Sequence, residues 1–568
     1  MVPPDGRIAV ARGPAVRNRA SGWGADRVAT LATLLAFGLS LATFVLYPLI
    51  EILRRSVEGT AGLTIAHYAA FLKTPQVFAA LGRSLWIACL STVLTILLAF
   101  AFAYIIARIP LPGRRVYAKV ALLPLISPSF VQALALIFLF GRNGLITRHL
   151  LDVPWSIYGW HGIVISEVFY CFPHAFLVLE PALRSVDARL YEAAASLRTP
   201  WWRAFLRITL PEARYALASS SFLVFNLVIT DFGNPVIIGG SYSVLATEIY
   251  TQVIGLQNFA MASVVSVVLL VPAVGAFLLD NYFGRRAIAS IGGAARPYIV
   301  PVGRLGRWLA VSFVGVVTAG ILLIYGTILA ASLVRIWGYD FGLTLRHYRF
   351  DTAGGYGSIW MSVALSGAAA VIGGLATLVL AYLVERRRPT GAWALTLLAL
   401  IPAAVPGTVM GLGYVLAFNK GLLILTGTAT IVVLSHLFRF FPLGLLTSRT
   451  KVKQLDPALE EACQSLRTPL WRILVRVIFP LARPAVAASI IYIFIRSMVT
   501  LSAVIFLVSP DISLAAVSIM LLVNDGKLNA AAAMSVVVVL VILVVLGIGE
   551  VIARAMGRDQ RPAHPAAA

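Results

Sequence analysis

Charged residues are scarce in this chain of 568 residues. Aspartate, glutamate, lysine and arginine together make up 12% of it, whereas hydrophobic residues make up 60%. Soluble domains carry about 25% charged residues. A chain with half that share has too little polar surface to surround its apolar side chains. The composition therefore excludes a wholly water-soluble fold and indicates a membrane protein.

Cysteine is rare as well. The three cysteines, Cys89, Cys171 and Cys463, lie far apart, and two of them fall within apolar runs. Zinc sites need closely paired ligands, and small disulfide-bonded domains need several cysteines, so neither is predicted. We interpret the three as small buried side chains and expect no metal site in this chain.

The chain also lacks a nucleotide-binding loop. A Walker A motif requires G-x-x-x-x-G-K followed by serine or threonine. The pair Gly526-Lys527 is followed by Leu528 instead. No Ser-His-Asp pattern stands out either. We therefore expect that the chain is not an enzyme, and that any ATP hydrolysis linked to it comes from another polypeptide.

Long apolar runs, by contrast, are abundant. The runs from Leu31 to Ile50, from Trp86 to Ile106 and from Ala531 to Ile548 are typical examples. Each is near the roughly 20 residues that a helix needs to cross the hydrocarbon core of a bilayer. We predict an all-α membrane protein with twelve transmembrane helices. The predicted spans are residues 29–50, 84–107, 118–140, 160–180, 213–235, 262–281, 308–332, 358–384, 393–418, 428–447, 483–507 and 529–553.

Basic residues are distributed unevenly between the predicted loops. With the N-terminus inside the cell, 33 of the 46 lysines and arginines fall on the cytoplasmic side and eleven fall outside. Because basic residues are retained on the cytoplasmic face, both termini are predicted to be cytoplasmic. The net charge of +23 could suggest a nucleic-acid partner, but the basic residues gather in short patches between the apolar runs, as they do in the cytoplasmic loops of membrane proteins. We therefore expect a lipid bilayer, and no nucleic acid, as the surrounding partner. The full length of the first apolar run predicts an uncleaved first span rather than a signal peptide.

The two parts of the chain repeat one another. Residues 192–211 (EAAASLRTPWWRAFLRITLP) and 461–480 (EACQSLRTPLWRILVRVIFP) align at a constant offset of 269. Upstream, the prolines at 124 and 128 recur at 402 and 406. Each half therefore holds six spans, with the repeated loop between the fourth and the fifth. Because six is an even number, the halves point the same way, as in parallel repeats that build a central pathway.

This repeat divides the chain into five predicted parts. A glycine- and proline-containing stretch, with Gly292-Gly293 and Arg296-Pro297, reads as a linker between the halves. The predicted parts are a cytoplasmic tail at 1–28, a first half at 29–282 with its repeated loop at about 184–212, a cytoplasmic linker at 283–307, a second half at 308–556 with its repeated loop at about 449–481, and a C-terminal tail at 557–568.

Each repeated loop is predicted to form a helix, a bend and a second helix. Asp187 and Asp456 are suited to cap the first helix, which presents Glu192 and Glu461 among small residues. A Thr-Pro pair then disfavours helix, and its threonine is placed to cap the second helix. A basic segment lying on lipid headgroups is the alternative. That alternative does not explain why one loop of each half repeats in register. Two equivalent docking surfaces for a symmetric pair of partner subunits do explain it.

These loops resemble the EAA signature of permease subunits in binding-protein-dependent importers. The resemblance rests on Glu-Ala-Ala, a bend and a later Leu-Pro, and it covers nearly the whole chain. It implies the type I fold of ATP-binding-cassette importers, which the maltose, molybdate and methionine permeases share. A fused double permease is similar to the ferric-iron, thiamine and aminoethylphosphonate group.

The resemblance also implies partners and a location. They are two copies of a cytoplasmic ATPase that bind ATP and Mg²⁺, a periplasmic substrate-binding protein, and the bacterial inner membrane; no cofactor is expected on this chain itself. The coupling residues that it implies are Glu192, Ala193, Ala194, Arg198 and Pro200 in the first loop and Glu461, Ala462, Cys463, Arg467 and Pro469 in the second.

One position departs from the family pattern. The family usually places glycine six residues after the motif glutamate, where this chain has Arg198 and Arg467. Because Thr-Pro follows in both copies, we expect that proline supplies the bend that glycine would have allowed.

Ionisable residues within spans are costly in a bilayer and therefore point to function. Arg496 lies midway along the eleventh span, and Asn226 and Asp231 lie in or at the end of the fifth, the equivalent helix. These three are the candidate pathway residues, although an ion pair between Arg496 and Asp231 is an equally open interpretation. The polar residues of spans four and ten are expected to be packing or interface groups. They are Glu167, His174, Glu180, His436 and Arg439.

Two classes of function remain open at this stage. The first is an importer permease, with ferric iron as the leading substrate and aminoethylphosphonate, thiamine or a polyamine as alternatives. The second is a secondary transporter, since such proteins also have two parallel six-helix halves. The position of the repeated loop, between the fourth and fifth spans, favours the permease.

Overall fold

The structure is a computed structural model that describes residues 23–59, 62–153, 155–290, 298–300, 302–350, 354–387, 389, 391–420, 423–466 and 468–558. It is largely helical. The helices of the first half are α1 (Trp23–Leu41), α2 (Tyr47–Val57), α3 (Ala66–Lys73), α4 (Pro75–Arg108), α5 (Arg114–Val120), α6 (Phe130–Phe140), α7 (Trp160–Arg184), α8 (Ala188–Ser196), α9 (Trp201–Ala204), α10 (Leu210–Thr230), α11 (Gly233–Ile238), α12 (Leu245–Tyr250) and α13 (Phe259–Ser290).

The second half follows the same order. Its helices are α14 (Arg304–Leu333), α15 (Gly355–Tyr382), α16 (Ala392–Ala404), α17 (Gly407–Phe418), α18 (Ala429–Gln454), α19 (Pro457–Ser465), α20 (Leu470–Ile473), α21 (Phe479–Val499), α22 (Ala515–Asn524) and α23 (Leu528–Arg558). Two antiparallel hairpins are present, in which β1 (Glu58–Gly59) pairs with β2 (Gly62–Leu63) and β3 (Val334–Ile336) pairs with β4 (Asp340–Leu343). Much of the predicted tails and the centre of the predicted linker, residues 291–297, lie outside the described residues.

Twelve membrane crossings are present in the described residues when one bent pair is counted as a single span. Eleven continuous segments are long and apolar enough to cross a bilayer, and α16 with α17 forms the bent pair. Several crossings join two helices through a π-helical turn, as α1 and α2 do at Ala42–Leu46. The prediction of an all-α protein with twelve spans in two halves is confirmed.

Residues 118–140 and 393–418 do not form the continuous helices that were predicted, although the first half has a continuous third crossing at Phe130–Leu150. In the second half α16 and α17 meet at an angle of 113°. In the first half a short turn, Leu123–Ile126, separates α5 from α6. The cause is Pro128 and Pro406, because each removes a backbone donor and holds the preceding residue in an extended conformation. Ser127 and Val405 are indeed extended.

The fifth span of each half is longer than predicted and begins in the repeated loop. Trp201–Thr230 and Leu470–Val499 are continuous helical segments, so the predicted ranges 213–235 and 483–507 are wrong at both ends. Pro211 and Pro480 lie within these continuous segments. A π-helical turn before each proline, Phe205–Thr209 or Leu474–Ile478, accommodates it without ending the helix.

The first span of each half packs against the other half. Phe44 lies between Phe418 and Phe438, with ring centroids 5.5 and 5.3 Å apart. From the second half, the Tyr325 hydroxyl of α14 forms a hydrogen bond with Ser127 Oγ of the first half at 2.7 Å. Trp337 Nε1 donates to the carbonyl of Phe138 at 2.7 Å. The two halves are therefore interlocked rather than merely adjacent.

Equivalent hydrogen bonds show that the two halves share one architecture. Ser84 Oγ accepts from the backbone N–H of Leu245 at 2.7 Å, and Ser362 Oγ accepts from that of Ala515 at 2.8 Å. The serines are 278 residues apart (362 − 84), the same offset that separates the repeated prolines (402 − 124). This offset aligns the second and third spans of the halves, and 269 aligns the fourth and fifth.

Candidate functional site: two docking loops and a central passage

The repeated loops begin with short capped helices, α8 and α19. The Asp187 carboxylate accepts a hydrogen bond from the backbone N–H of Arg189 at 3.0 Å, and Asp456 accepts from that of Ala458 at 2.9 Å. Each carboxylate thereby satisfies a donor in the first turn that has no partner within the helix. The prediction that aspartate caps these helices is confirmed.

The end of α8 has the geometry for which glycine is usually used. The backbone N–H of Thr199 donates to the carbonyl of Ala194, and that of Arg198 donates to Ala195, both at 2.9 Å. In this pattern the first residue after the helix cap adopts the left-handed conformation. That residue is Arg198, whose φ is +50°. The expectation that Thr-Pro replaces glycine is therefore wrong for the first loop, because Arg198 itself adopts the conformation that glycine favours.

The second loop ends α19 with the same type of bond. The backbone N–H of Thr468 donates to the carbonyl of Cys463 at 3.0 Å. Arg467 lies outside the described residues. Threonine does not cap the following helix in the first loop, since the residue before α9 is Pro200 and no side chain caps there. In the second loop Asp26 of α1 accepts from the backbone N–H of Leu470 at 3.2 Å. Both observations correct the prediction of a threonine cap.

The strained arginine gives a direct test. Because a left-handed conformation costs a non-glycine residue about 1 kcal/mol, Arg198→Gly should preserve or slightly raise thermal stability and leave assembly intact. Arg198→Val should lower stability, since a β-branched side chain tolerates positive φ worse still. Thermal unfolding of the purified chain measures both variants. Equal melting temperatures for the glycine and valine variants would contradict the geometry.

The short helices α8 and α19, called here the docking helices because they are the candidate docking sites for partner subunits, expose equivalent surfaces. Glu192 and Glu461 are both exposed, as are Ala193 and Ala462, while Ala194 and Cys463 are half-buried. Three pairs of large apolar side chains, each related by the offset of 269, are exposed beside them. The pairs are Leu190 with Leu459, Leu197 with Leu466, and Trp202 with Trp471. Leu197 and Leu466 are 79% and 80% exposed. Matching exposed apolar patches of this kind are typical of protein interaction sites.

A large cavity lies between the halves. Its volume is about 970 Å³, and it is lined by α10 and α13 of the first half and by α16, α18 and α21 of the second. Arg449 lines it near the end of α18, which leads into α19, and Glu385 lines it beside Arg386, which contacts Glu460 of α19. The cavity therefore extends to the side of the molecule that carries the loops, here called the loop side.

A small polar pocket of about 60 Å³ adjoins the cavity at the centre of the molecule. This central polar pocket is lined from the first half by Ser129, Tyr170, Leu227, Thr230, Asp231 and Gly233, and from the second by Arg439, Arg496, Val499, Thr500, Leu501 and Ser502. Leu227, Thr230, Arg439 and Arg496 line both spaces. The proline breaks adjoin this pocket, because Ser129, which follows Pro128, lines it and Gly407, which follows Pro406, packs against the lining residue Ser502. A Cβ atom on Gly407 would lie 2.0 Å from Ser502 Oγ, so glycine is required for this close approach.

The three candidate pathway residues meet around this passage. Asn226 lines the cavity, Asp231 lines the central polar pocket, and Arg496 lines both. Asp231 is occupied by two hydrogen bonds, from Ser129 Oγ at 2.9 Å and from the backbone N–H of Asn234 at 2.8 Å. Although both side chains lie in the described part of the chain, no nitrogen of Arg496 comes within 4.0 Å of an oxygen of Asp231. The direct ion pair that the sequence left open is not formed.

The charges around the pocket are divided between the halves. At the offset of 269, Tyr170 corresponds to Arg439 and Leu227 corresponds to Arg496. Asp231 of the first half likewise corresponds to Thr500. The first half therefore supplies the carboxylate and the second half supplies both guanidinium groups. This division breaks the symmetry of the repeat around the central polar pocket.

Arg439, interpreted from the sequence as a packing or interface group, lines both the cavity and the central polar pocket. Its Nη1 donates to the carbonyl of Val405 at 3.1 Å, next to the break between α16 and α17. The Nε atoms of Arg439 and Arg496 are both buried and find no hydrogen-bond partner among the described residues. Their guanidinium carbons lie 5.8 and 5.9 Å from the Phe440 ring.

Comparison with known proteins agrees with this architecture. A model of the family described as "Binding-protein-dependent transport system inner membrane component" matches residues 95–289 and again residues 373–558. A putative ferric transport system permease protein, FbpB 1, of Haemophilus influenzae is 31% identical over 85% of this chain and 78% of its own length. The ferric transport system permease protein FbpB of Actinobacillus pleuropneumoniae is 29% identical over 91% of this chain and 77% of its own length.

A shorter relative matches less than half of this chain. The sulfate transport system permease protein CysT of Escherichia coli is 29% identical over 98% of its own length and 46% of this chain. The alternative of a secondary transporter is set aside, and the predicted resemblance to a fused permease is confirmed. With two matches that together cover more than half of its length, the chain belongs to the family of inner-membrane components of binding-protein-dependent transport systems.

Proposed function

We propose that this multi-pass permease passes ferric iron from a periplasmic binding protein into the cytoplasm, driven by separate ATPase subunits. The observation that carries the coupling part of this proposal is the doubled docking surface. Each half presents one exposed glutamate flanked by exposed leucines on a capped helix outside the spans. Iron is supported by the names of the two relatives that match most of the chain.

The same surface supports a stoichiometry. One chain carries both docking loops, so it would bind two ATPase copies, and ATP and Mg²⁺ would be held by those copies. The loop side would face the cytoplasm together with both termini, because the basic residues of the sequence concentrate there. A purified complex should then contain one copy of this chain for every two ATPase copies.

Continuous helices offer a route for coupling. The segment Trp201–Thr230 runs without a break from the first docking loop to Asn226 and the edge of the central polar pocket. Leu470–Val499 does the same from the second loop to Arg496. If the ATPases draw the docking loops together on binding ATP, both helices would tilt, and their ends at the central polar pocket would shift. The cavity on the loop side, narrowing at the pocket, corresponds to the inward-facing arrangement of such a cycle.

One observation favours a second candidate, an anionic substrate. Arg439 and Arg496 present two positive charges to the passage, and the nearby carboxylate of Asp231 is engaged elsewhere. An anion such as aminoethylphosphonate or sulfate would be attracted, whereas thiamine and polyamines would be repelled. A bare ferric ion would be repelled as well, so iron would have to pass together with anionic ligands.

Uptake measurements separate the two candidates. The complete importer should be expressed in cells that lack it, and uptake of radiolabelled ferric iron should be compared with that of sulfate and aminoethylphosphonate. We expect iron uptake that requires both this chain and its binding protein. Uptake of an anion in the absence of iron, with no iron uptake, would replace ferric iron by that anion as the substrate.

A further inference from the structure

The second docking helix is anchored by a buried carboxylate. Glu460 of α19 is 8% exposed, and its Oε1 accepts a hydrogen bond from the Tyr382 hydroxyl at 2.8 Å. Its carboxylate oxygens also lie 3.9 Å from Arg386 Nε and 3.8 Å from Arg387 Nη2. Arg386 Nη2 in turn donates to the carbonyls of Val452 and Leu455 just before the helix. The eighth span thus holds the second docking helix through charge.

The first docking helix cannot use the same anchor. At the offset of 269, the residue that corresponds to Glu460 is Tyr191, and at the offset of 278, Arg386 corresponds to Arg108. The arginine is kept but the carboxylate is missing. Arg108 is 2% exposed, and none of its three guanidinium nitrogens has a hydrogen-bond partner among the described residues. Such a buried cation requires another source of compensation.

Two aromatic rings supply that compensation, and one of them comes from the segment between the halves. The guanidinium carbon of Arg108 lies 4.8 Å from the centre of the Tyr191 ring and 6.0 Å from that of Tyr298. The two rings stack with centroids 4.3 Å apart at an angle of 6°. The backbone N–H of Val300 also donates to the carbonyl of Arg108 at 2.9 Å. Tyr298 therefore contacts both the ring that α8 places beside the arginine and the arginine itself.

We infer that Tyr298, from the segment that joins the halves, is a positioning residue for the first docking helix. It holds Tyr191 against Arg108 by stacking and does there what Glu460 does directly in the second half. Cation–π contacts strengthen when the cation is shielded from water, so the anchor depends on the Tyr298 ring remaining in place. The two docking helices are then held by different chemistry, and only the first depends on the segment between the halves. The consequence for transport rests on the proposed function, but the anchor itself does not.

The anchor can be measured on the purified chain without any ATPase. A spin label at Ser196→Cys reports on α8, and one at Ser465→Cys, the equivalent exposed position, reports on α19. The native cysteines are first replaced by alanine. We expect Tyr298→Ala to increase label mobility at position 196 at least twofold and to leave position 465 unchanged. Glu460→Gln should do the reverse. No change at 196, or equal changes at both sites, would overturn the inference.

Rescue distinguishes a positioning role from general damage. Tyr298→Phe keeps the ring and should behave as the unmodified chain. Ile299→Ala, at a neighbouring side chain that is 60% exposed, is the matched control and should be silent. Tyr191→Glu would give Arg108 the carboxylate that the second half uses, so adding Tyr298→Ala to it should have little further effect. If Tyr298→Ala is equally disruptive in that background, Tyr298 does not act through Arg108.

The consequence for transport is tested separately in the assembled importer. Tyr298→Ala should lower substrate uptake about threefold to tenfold while ATP hydrolysis continues, because one ATPase would be seated on a loosely held helix. Altered label mobility with normal uptake would retain the anchor and contradict its part in coupling. If the importer keeps normal uptake when its docking loops are altered, the proposed function is contradicted. The label-mobility result would still stand in that case.

Discussion

Replacing both docking glutamates by lysine is expected to separate this permease from its ATPases. Glu192 and Glu461 are exposed, carry no ion pair within the described part of the chain, and lie on equivalent helices beside exposed leucines. If they contact basic groups on the ATPase, Glu192→Lys and Glu461→Lys put a repulsive pair where an attractive one stood. Losing one member of a partly desolvated interfacial pair costs roughly 2–5 kcal/mol. Binding should weaken by about one to three orders of magnitude at each site.

The measurement is co-purification of the ATPase, followed by uptake. Each single variant should retain some ATPase, and the double variant should retain little, because the two loops engage separate subunits. Neither glutamate lies in a span, so the permease should remain at normal levels in the membrane. Glu212→Lys, at an exposed carboxylate of α10 away from the docking helices, is the matched control. Normal co-purification and uptake by the double variant would show that these loops are not the coupling elements.

The repeated motifs predicted more of the fold than hydropathy alone could. Hydropathy gave the number of spans, but it treated residues 118–140 and 393–418 as straight helices. The breaks depend on Pro128 and Pro406, whereas prolines in other spans, such as Pro173 and Pro442, leave their helices continuous. Whether a proline breaks its helix depends on whether the surrounding groups can form hydrogen bonds with the backbone groups that the break leaves unpaired. At the break between α16 and α17 Arg439 does so, because its Nη1 donates to the carbonyl of Val405 from a distant part of the chain.

The docking loops were predictable because their structure is local. Aspartate capping and the short helix with small residues depend on neighbours within a few positions, which the sequence displays directly. The left-handed conformation of Arg198 was missed because arginine seldom adopts it and because the proline two residues later offered a simpler explanation. The anchors were missed for a different reason. Tyr298 and Arg108 are 190 residues apart (298 − 108), and nothing in either segment indicates the contact.

The pathway residues fall between these cases. A charge in a span identified Arg496, and the correspondence between the halves placed Asn226 and Asp231 near it. The same reasoning passed over Arg439, since its position in span ten suggested packing against neighbouring helices. Only the tertiary arrangement shows that Arg439 and Arg496 share one wall of the passage. A residue-by-residue comparison of the two halves would have shown that both basic residues lie in one half.

Replacing Arg496 by leucine is expected to stop transport without disturbing assembly. Its guanidinium group lines both the cavity and the central polar pocket, and its Nε has no hydrogen-bond partner among the described residues. Leucine is also the residue at the equivalent position, 227, of the first half, so the pocket can accommodate it. Losing a hydrogen bond to a charged group costs about 1.5–3 kcal/mol. If substrate contacts Arg496, uptake should fall by roughly tenfold to a hundredfold.

Two further variants decide what the residue does. Arg483→Leu removes an exposed charge from the same helix near the loop side and should leave uptake almost unchanged. Arg496→Lys keeps the charge but loses the planar fork, so uptake should recover only in part. ATPase co-purification and thermal stability should be normal in all three variants. Full uptake by Arg496→Leu would mean that substrate does not depend on this guanidinium group. Loss of uptake together with loss of stability would instead assign Arg496 to the packing between α18 and α21.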